Sequence, residues 1–446
     1  MASHASVSGP SGSARVAPIR MVEPSGRGAR RRMSRALIET SNAGHDLESL
    51  KSRLREVRES ALREQETLVQ QFHHAVRSYP GMRLLSARHA DHAAAYVRQA
   101  AHGTDNVVIN RSSVVANELR PALEREGFRI IHPYFAEFES FEPVIRDYWD
   151  LPDLLGKGVV GNLGVSEQRL VEPAEGDVRD CVAVLGVNAA AAADGSIYFL
   201  QHYSNISQSL LHARQVFLVV ALDKLVPDAE AAALQTSCMG IFGLETMLLN
   251  LRGAPDAGHS LTSLPAAGVV HERPVHVVLL DNGRSQMLQG GYRDLLLCIG
   301  CKACSRQCPI NRSMTRDGSV WSPRDYLFMF LLDDGRSMDA CLHCEACRGE
   351  CPLSIDLPRL MWKAQADRAS RRGRSLRDRM LGNPEFLAKL GSLAAPVSNR
   401  AAGTGLGKAV IGRALGLDSK RTLPRFQRST LSLIHISEPT RPLYIS

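Results

Sequence analysis

The sequence predicts an α/β domain followed by a small helical module rich in cysteine. Three observations carry that expectation. Between residues 81 and 285, short apolar runs alternate with helical patterns, as a largely parallel sheet with crossover helices requires. Between residues 298 and 351 the pattern CxxCxxCxxxCP occurs twice. The 32 residues that separate Cys308 from Cys341 are filled mainly by one helical segment.

Residues 1–45 are rich in Ser, Gly, Ala and Arg without periodicity and read as a disordered basic extension, with Met21 and Met33 as alternative first residues. Residues 46–80 form a charged helix whose stripe of Leu47, Leu50, Leu54, Val57, Ala61 and Leu68 suits packing on the domain that follows. Within 81–285, NVVIN (106–110) reads as a buried strand, and residues 112–127 as a helix opening on a Ser cap and closing at Gly127. FRIIHP follows as the next strand. CVAVLGV, SIYFLQ, QVFLVVAL and HVVLLD supply further strands, and residues 228–251 a long apolar helix. The sequence Gly156-Lys-Gly158-Val-Val-Gly161 matches GxGxxG, but a polar, Pro-containing segment precedes it where a dinucleotide site needs a buried strand; a glycine-rich turn is the better reading.

The first cysteine run is Cys298, Cys301, Cys304 and Cys308, followed by Pro309; the second is Cys341, Cys344, Cys347 and Cys351, followed by Pro352. A [4Fe-4S] cube needs four converging thiolates, and a CxxCxxC loop wraps three of them around one cube. In two-cluster ferredoxins the fourth cysteine of each run ligates the other run's cluster. That rule assigns Cys298, Cys301, Cys304 and Cys351 to one cluster, and Cys341, Cys344, Cys347 and Cys308 to a second. Structural zinc sites use separated CxxC pairs instead, and a disulfide framework belongs to short secreted domains. Outside the runs, Cys181 and Cys238 sit among apolar or small residues and read as buried free thiols. SPRDYLFMFLLDDG (322–335) is the helix between the runs, and a second helix follows Cys351; residues 286–372 form the two-cluster module. Residues 373–430 are a basic helical connector. Residues 431–446 resemble the translation of a sequencing adapter and read as a non-native tail.

The formal charge is +8, yet residues 1–35 hold seven arginines against the single acid Glu23, so the remainder is nearly balanced and nucleic acid is not an expected partner. No apolar run is long enough to span a bilayer, and no apolar segment follows the N-terminal arginines as in a secretion signal. A cytoplasmic location follows, with any membrane association made through a partner.

With HERPVHVVLLDNGRS (271–285) and then YRDLLLCIGCKACSRQCP, the chain resembles the lactate-utilisation (LUD) iron-sulfur proteins, and SNISQSLLHARQVFLVVALDKLVPD (204–228) is similar to that family's central stretch. The resemblance covers roughly residues 60–370. It implies an LUD domain similar in fold to CoA transferases and sugar-phosphate isomerases, then a two-cluster ferredoxin module, in an oxidoreductase complex that converts L-lactate to pyruvate. All eight cysteines match the family's cluster ligands; no catalytic residue carries over. The chain departs from the family in its N-terminal extension and at residues 161–166. Residues 383–430 resemble the connector that precedes a cysteine-rich (CCG) reductase domain in glycolate and D-lactate dehydrogenase subunits, which implies a sequence cut short before such a domain. Implied partners are other lactate-utilisation subunits or that CCG domain, and an electron acceptor.

Two functional readings follow from the resemblance. In one the chain is the iron-sulfur electron-transfer subunit of an L-lactate-oxidising complex, with the LUD domain near the lactate substrate. In the other it is a non-catalytic adaptor that links a dehydrogenase to a quinone or heterodisulfide-type reductase. Lactate oxidation releases two electrons and each [4Fe-4S] centre accepts one, so two clusters suit a two-electron donor. Lys302, Arg306 and Arg348, inside or beside the loops, either raise the cluster potentials or are solvated loop charges. Asp281, Asn282 and Arg284 follow a strand's C-terminal end, where α/β sheets bind ligands, so Arg284 is a candidate for a substrate carboxylate; shaping the turn is the alternative. His202 and His212 are further candidates.

Overall fold

The computed structural model describes residues 19–23, 47–110, 112–131, 178–200, 205–243, 260–263, 275–305, 307–310, 322–333, 337–338, 340–373, 376–415 and 425–427. The chain divides into two compact units, residues 1–362 and 363–446. Both cysteine runs belong to the first unit together with the α/β core.

In chain order the first unit opens with β1 (Ile19–Glu23), α1 (Leu47–Arg63), α2 (Gln65–Arg77), β2 (Met82–Ala87), α3 (Ala90–Ala100) and β3 (Asn106–Ile109). A π-helical turn (Val114–Leu119) leads into α4 (Arg120–Arg125) and then β4 (Arg129–Ile131). Next come β5 (Val182–Gly186), β6 (Ala189–Ala191), β7 (Ile197–Leu200), α5 (Asn205–His212), β8 (Gln215–Ala221) and β9 (Leu225–Val226). After α6 (Ala229–Phe242), β10 (Ser260–Ser263) and β11 (Val275–Leu280) complete the strands, and α7 (Arg284–Gln289) starts the descent to the cysteines. The module holds α8 (Pro323–Leu332), α9 (Ala346–Gly349) and the start of α10 (Leu357–Arg372).

Six strands form one sheet in the order β2, β11, β8, β5, β3, β4, and every pairing in it is parallel. Alternate residues enter opposite cores. Along β8, Val216, Leu218 and Val220 join Leu68 and Phe72 of α2 and Ala232 of α6. Phe217, Val219 and Ala221 join Ala93 and Val97 of α3 and Leu119 and Leu123 of the π-to-α segment. Covering both faces explains why these strands read as unbroken apolar runs; each fully buried Val, Leu or Phe contributes about 1.5–3 kcal/mol. A second, mixed sheet runs β10, β1, β7, β6, β9. The sheet-carrying domain followed by a helical cysteine module is thus an α/β domain with a helical module behind it.

The structure departs from the sequence reading in several places. Residues 19–23 lie in the segment expected to be disordered, yet they pair with β7 in parallel and β10 antiparallel. Their partners are remote in sequence, so local composition does not reveal them. The charged helix is two helices, broken at Glu64 (φ −103°, ψ 16°). Ser113 does not cap its helix; its hydroxyl donates to Asp325 Oδ2 at 3.0 Å. Asp228 does cap α6, accepting from the Ala231 amide at 2.8 Å, and the helix is described to Phe242. Cys181 and Cys238 are buried and in no disulfide, and burial pushes the Cys238 thiol up to about 12, partly offset by Arg53. The GxGxxG stretch, residues 161–166, Arg306, His202 and residues 431–446 lie outside the described residues.

The second unit contains α11 (Leu376–Leu381), α12 (Pro384–Leu393), α13 (Ala395–Gly403) and α14 (Gly405–Leu415). Asn399 fixes Phe426 there by exchanging hydrogen bonds with its backbone at 2.8 and 2.9 Å.

Candidate metal-cluster site

Two loops of the same backbone form build the site. In the first, the third and fifth residues counted from Cys298 are left-handed, Gly300 at φ +88° and Lys302 at +58°. In the second, the same positions from Cys341 are His343 at +50° and Glu345 at +61°. A CxxCxxC segment must bend sharply twice to turn three thiols inward, and left-handed residues make those bends. The Gly300 amide donates to Cys298 Sγ at 3.3 Å, so the bend also aims a backbone dipole at sulfur.

The fourth cysteine of each run lies with the other run's loop. Burial pushes the Cys304 thiol well up, and its neighbours Cys298, Cys301 and Cys351 push it further, with the Arg324 amide opposing them. Burial, then Cys298, pushes Cys351 up to about 11. Cys308, Cys341, Cys344 and Cys347 line one cleft with Pro309, Tyr326, Leu342, Pro358 and Met361. Burial, then Cys308 and Cys341, pushes Cys347 up to about 12. Free thiols packed this way resist ionisation, whereas a bound polycation ionises them and relieves their repulsion.

Orphaned polar atoms support the fit of a sulfide-containing cluster. Ser305 Oγ, Arg324 Nε and His343 Nδ1 are buried without a hydrogen-bond partner among the described residues, and all three lie in or against the cysteine loops. The Ser305 hydroxyl and Arg324 Nε are buried donors that call for acceptors, and inorganic sulfides would supply them. Among the described residues no group of three or more His, Cys, Asp or Glu closes on a single ion. A cube is wider than one ion and holds its thiolates further apart.

Beneath the Cys298 loop lies a buried charge network. Arg284 donates to both oxygens of Glu118, at 2.8 and 2.9 Å, and to Asp223. Arg58 donates to the carbonyls of Leu296 (2.7 Å) and Leu297 (3.2 Å) and to Gln235 (3.0 Å). Lys224 donates to the carbonyls of Cys298 (3.2 Å) and Ile299 (2.9 Å). Arg324 stands 3.6 Å from Asp223 and 3.4 Å from Asp325. Burial opposes ionisation of Asp223, but Arg284, Lys224, Arg324 and Arg58 outweigh it and hold the carboxyl well below its usual range. Burial likewise opposes the charge on Arg284, and Glu118 and Asp223 more than restore it.

This network disposes of one candidate ligand site. Arg284 is fully buried with its guanidinium occupied, so it cannot meet a substrate carboxylate. Asn282 accepts from the Ala90 amide and donates to Glu118, and Asp281 accepts from the Ser285 amide. The segment therefore shapes the turn, with Gly283 at φ +85°. His212 is exposed. Arg348, one of the three loop cations, is 61 % exposed and 3.6 Å from Asp356. Sequence reasoning missed Arg58, Lys224 and Arg324, although one signal existed. Arg58 lies on the apolar stripe of α1, between Leu54 and Ala61, and is itself fully buried.

Residues 297–355 match the 4Fe-4S dicluster domain. Lactate utilization protein B 2 of Bacillus mycoides (strain KBAB4) is 29% identical over 150 residues, covering 32% of this chain and 29% of the relative. Lactate utilization protein B of Bacillus thuringiensis (strain Al Hakam) and of Bacillus cereus (strain B4264) match to the same extent. The chain thus spans 29% of the length of these relatives. No solved structure matches. The chain is similar to lactate utilization protein B and carries a 4Fe-4S dicluster domain behind its α/β domain.

Proposed function

We propose that this chain is the iron-sulfur electron-transfer component of a lactate-oxidising system, holding two [4Fe-4S] clusters. The observation that carries the proposal is the exchange of fourth cysteines, with Cys351 beside the first loop and Cys308 in the cleft of the second. Cys298, Cys301, Cys304 and Cys351 would hold one cluster, and Cys308, Cys341, Cys344 and Cys347 the other. When bound, the clusters would supply two one-electron centres, matching the two electrons that oxidation of one lactate releases.

The chain's own residues set where such centres exchange electrons. Cys304 is buried, whereas Cys344 is exposed beside Leu342, which is 65% exposed. Trp362, 55% exposed, stacks on His343 with ring centroids 4.0 Å apart. This apolar, aromatic rim suits transient docking of a redox partner at the second loop. The similarity to lactate utilization protein B supports lactate as the electron source.

Occupation of Arg284 by Glu118 and Asp223 favours a second reading, in which the α/β domain docks partners and lactate is oxidised elsewhere. Protein reconstituted with iron and sulfide and given L-lactate anaerobically separates the two. Bleaching of the cluster absorbance by lactate alone shows that this chain oxidises it; bleaching only after a partner subunit is added supports the adaptor. Preparations that bind no iron or sulfide sink both.

A further inference from the structure

We propose that the two cluster positions are electrostatically unequal, and that Arg58, Lys224 and Arg324 make the centre on the Cys298 loop the one of higher potential. The inference rests on the two-cluster reading and goes beyond it by ranking the sites.

Arg58 and Lys224 place their cationic heads against four successive carbonyls, Leu296 to Ile299, which lead into and form the start of the first loop. Arg324 is 7% exposed and carries an unsatisfied Nε, while its backbone amide donates to the Cys304 thiol. Among the described residues, three anions share this interior. Glu118 is spent on Arg284, Asp325 lies beside Arg324, and Asp223 is divided among Arg58, Lys224, Arg284 and Arg324. Four buried basic side chains face three buried carboxylates beneath the first loop; burial lowers the Lys224 pKa and Asp223 raises it, while Arg58 and Arg324 keep their charge. On the far side, Arg55 donates to the Leu353 carbonyl at 2.6 Å near Cys351 and pairs with Glu59.

Among the described residues, the second site lacks this arrangement. Its cleft is lined by apolar and aromatic residues with Glu345 as the charged one, and no Lys or Arg is among those lining residues. Its nearby Arg348 is solvated and paired with Asp356. The sequence repeats the contrast at matched loop positions, Lys302 in the first and Glu345 in the second. Reduction adds an electron and hence negative charge to a cluster. Cations fixed in a low-dielectric interior stabilise that form more than solvated ones do. Arg58 and Arg324 stay protonated under all ordinary conditions.

The test is a redox titration of the reconstituted full chain, followed by electron paramagnetic resonance. Iron and acid-labile sulfide content first establishes, independently of any potential, that both clusters are present; their absence would defeat the two-cluster reading itself. Two resolved midpoints are expected. Cys344→Ser assigns them, because it alters or removes only the lower one. Arg324→Gln should lower the upper midpoint alone, by at least tenfold in the reduction equilibrium, which is ~59 mV for one electron. Arg324→Lys should restore it, and the exposed Arg348→Gln should move neither. Lys224→Met gives the same reading if Arg324→Gln does not load. Coincident wild-type midpoints, an upper midpoint that answers to Cys344→Ser, or a charge-removing variant that shifts the lower centre or neither would overturn the proposal.

Discussion

Gly300 shows how one residue can limit a whole site. At φ +88° it occupies a region that costs an L side chain roughly 1–2 kcal/mol, and a Cβ there would stand 3.5 Å from Lys224 Nζ. Gly300→Ala should lower the thermal midpoint of the loaded protein, and with it the iron retained after gel filtration. Glu345 accepts the equivalent strain at φ +61° while exposed, so Glu345→Gly should be neutral or stabilising by up to about 1 kcal/mol. A Gly300→Ala variant as stable as the parent would show that the first loop can adopt another form. At Arg284 the argument turns on burial. Arg284→Met leaves the buried Glu118 without its cation and Asp223 with only Lys224, Arg324 and Arg58, and breaking such a buried pair costs about 3–5 kcal/mol. Chemical denaturation should show a loss of that order; a loss below about 1 kcal/mol would mean the carboxylates find water.

Among the elements, strands were easier to read than their partners. β3, β5, β8 and β11 announce themselves as apolar runs because both faces of the sheet are covered. β1, β9 and β10 did not, since strands of two to five residues take their meaning from distant pairing. The cysteine spacing made the loops legible, but no spacing could reveal Arg58, Lys224 and Arg324, which three remote segments bring together. β11 also carries a buried histidine that sequence order hides. His276 accepts from or donates to the Tyr96 hydroxyl at 2.8 Å and stacks on Phe217 at 4.4 Å. Burial, then Arg83 and His102, lowers its pKa to about 4. The unfolded chain therefore binds the extra proton between about pH 6.5 and pH 4. This histidine's contribution to stability is full above that window and is lost as pH falls through it. His276→Phe should flatten the decline between pH 7 and pH 5, recovering on the order of 1–2 kcal/mol at the acid end relative to wild type. An unchanged slope in urea titrations would place the acid sensitivity in other groups.

At the scale of the molecule, the exchange of fourth cysteines couples two sites that are 32 residues apart in sequence. Cys351 ends the second run but stands with Cys298 and Cys304, and Cys308 ends the first run but lines the cleft of Cys341, Cys344 and Cys347. Ligation by exchange, as proposed, would close each loop with a residue that only the other loop's folding delivers, and α8 lies between the two runs. Ser322 begins that helix by accepting from the Asp325 amide, while Asp325 accepts from Ser113 of the α/β domain. The helix is thereby tied to the sheet side of the unit as well as to the cysteines. Assignment by sequence order and assignment by exchange differ in an outcome that spectroscopy can separate. Under exchange, Cys308→Ser should perturb the lower-potential signal assigned through Cys344→Ser, and Cys351→Ser the other. Under sequential ligation the two effects would trade places, so a Cys308→Ser variant that disturbs only the Cys298-loop signal would refute the crossed arrangement while leaving both clusters in the chain.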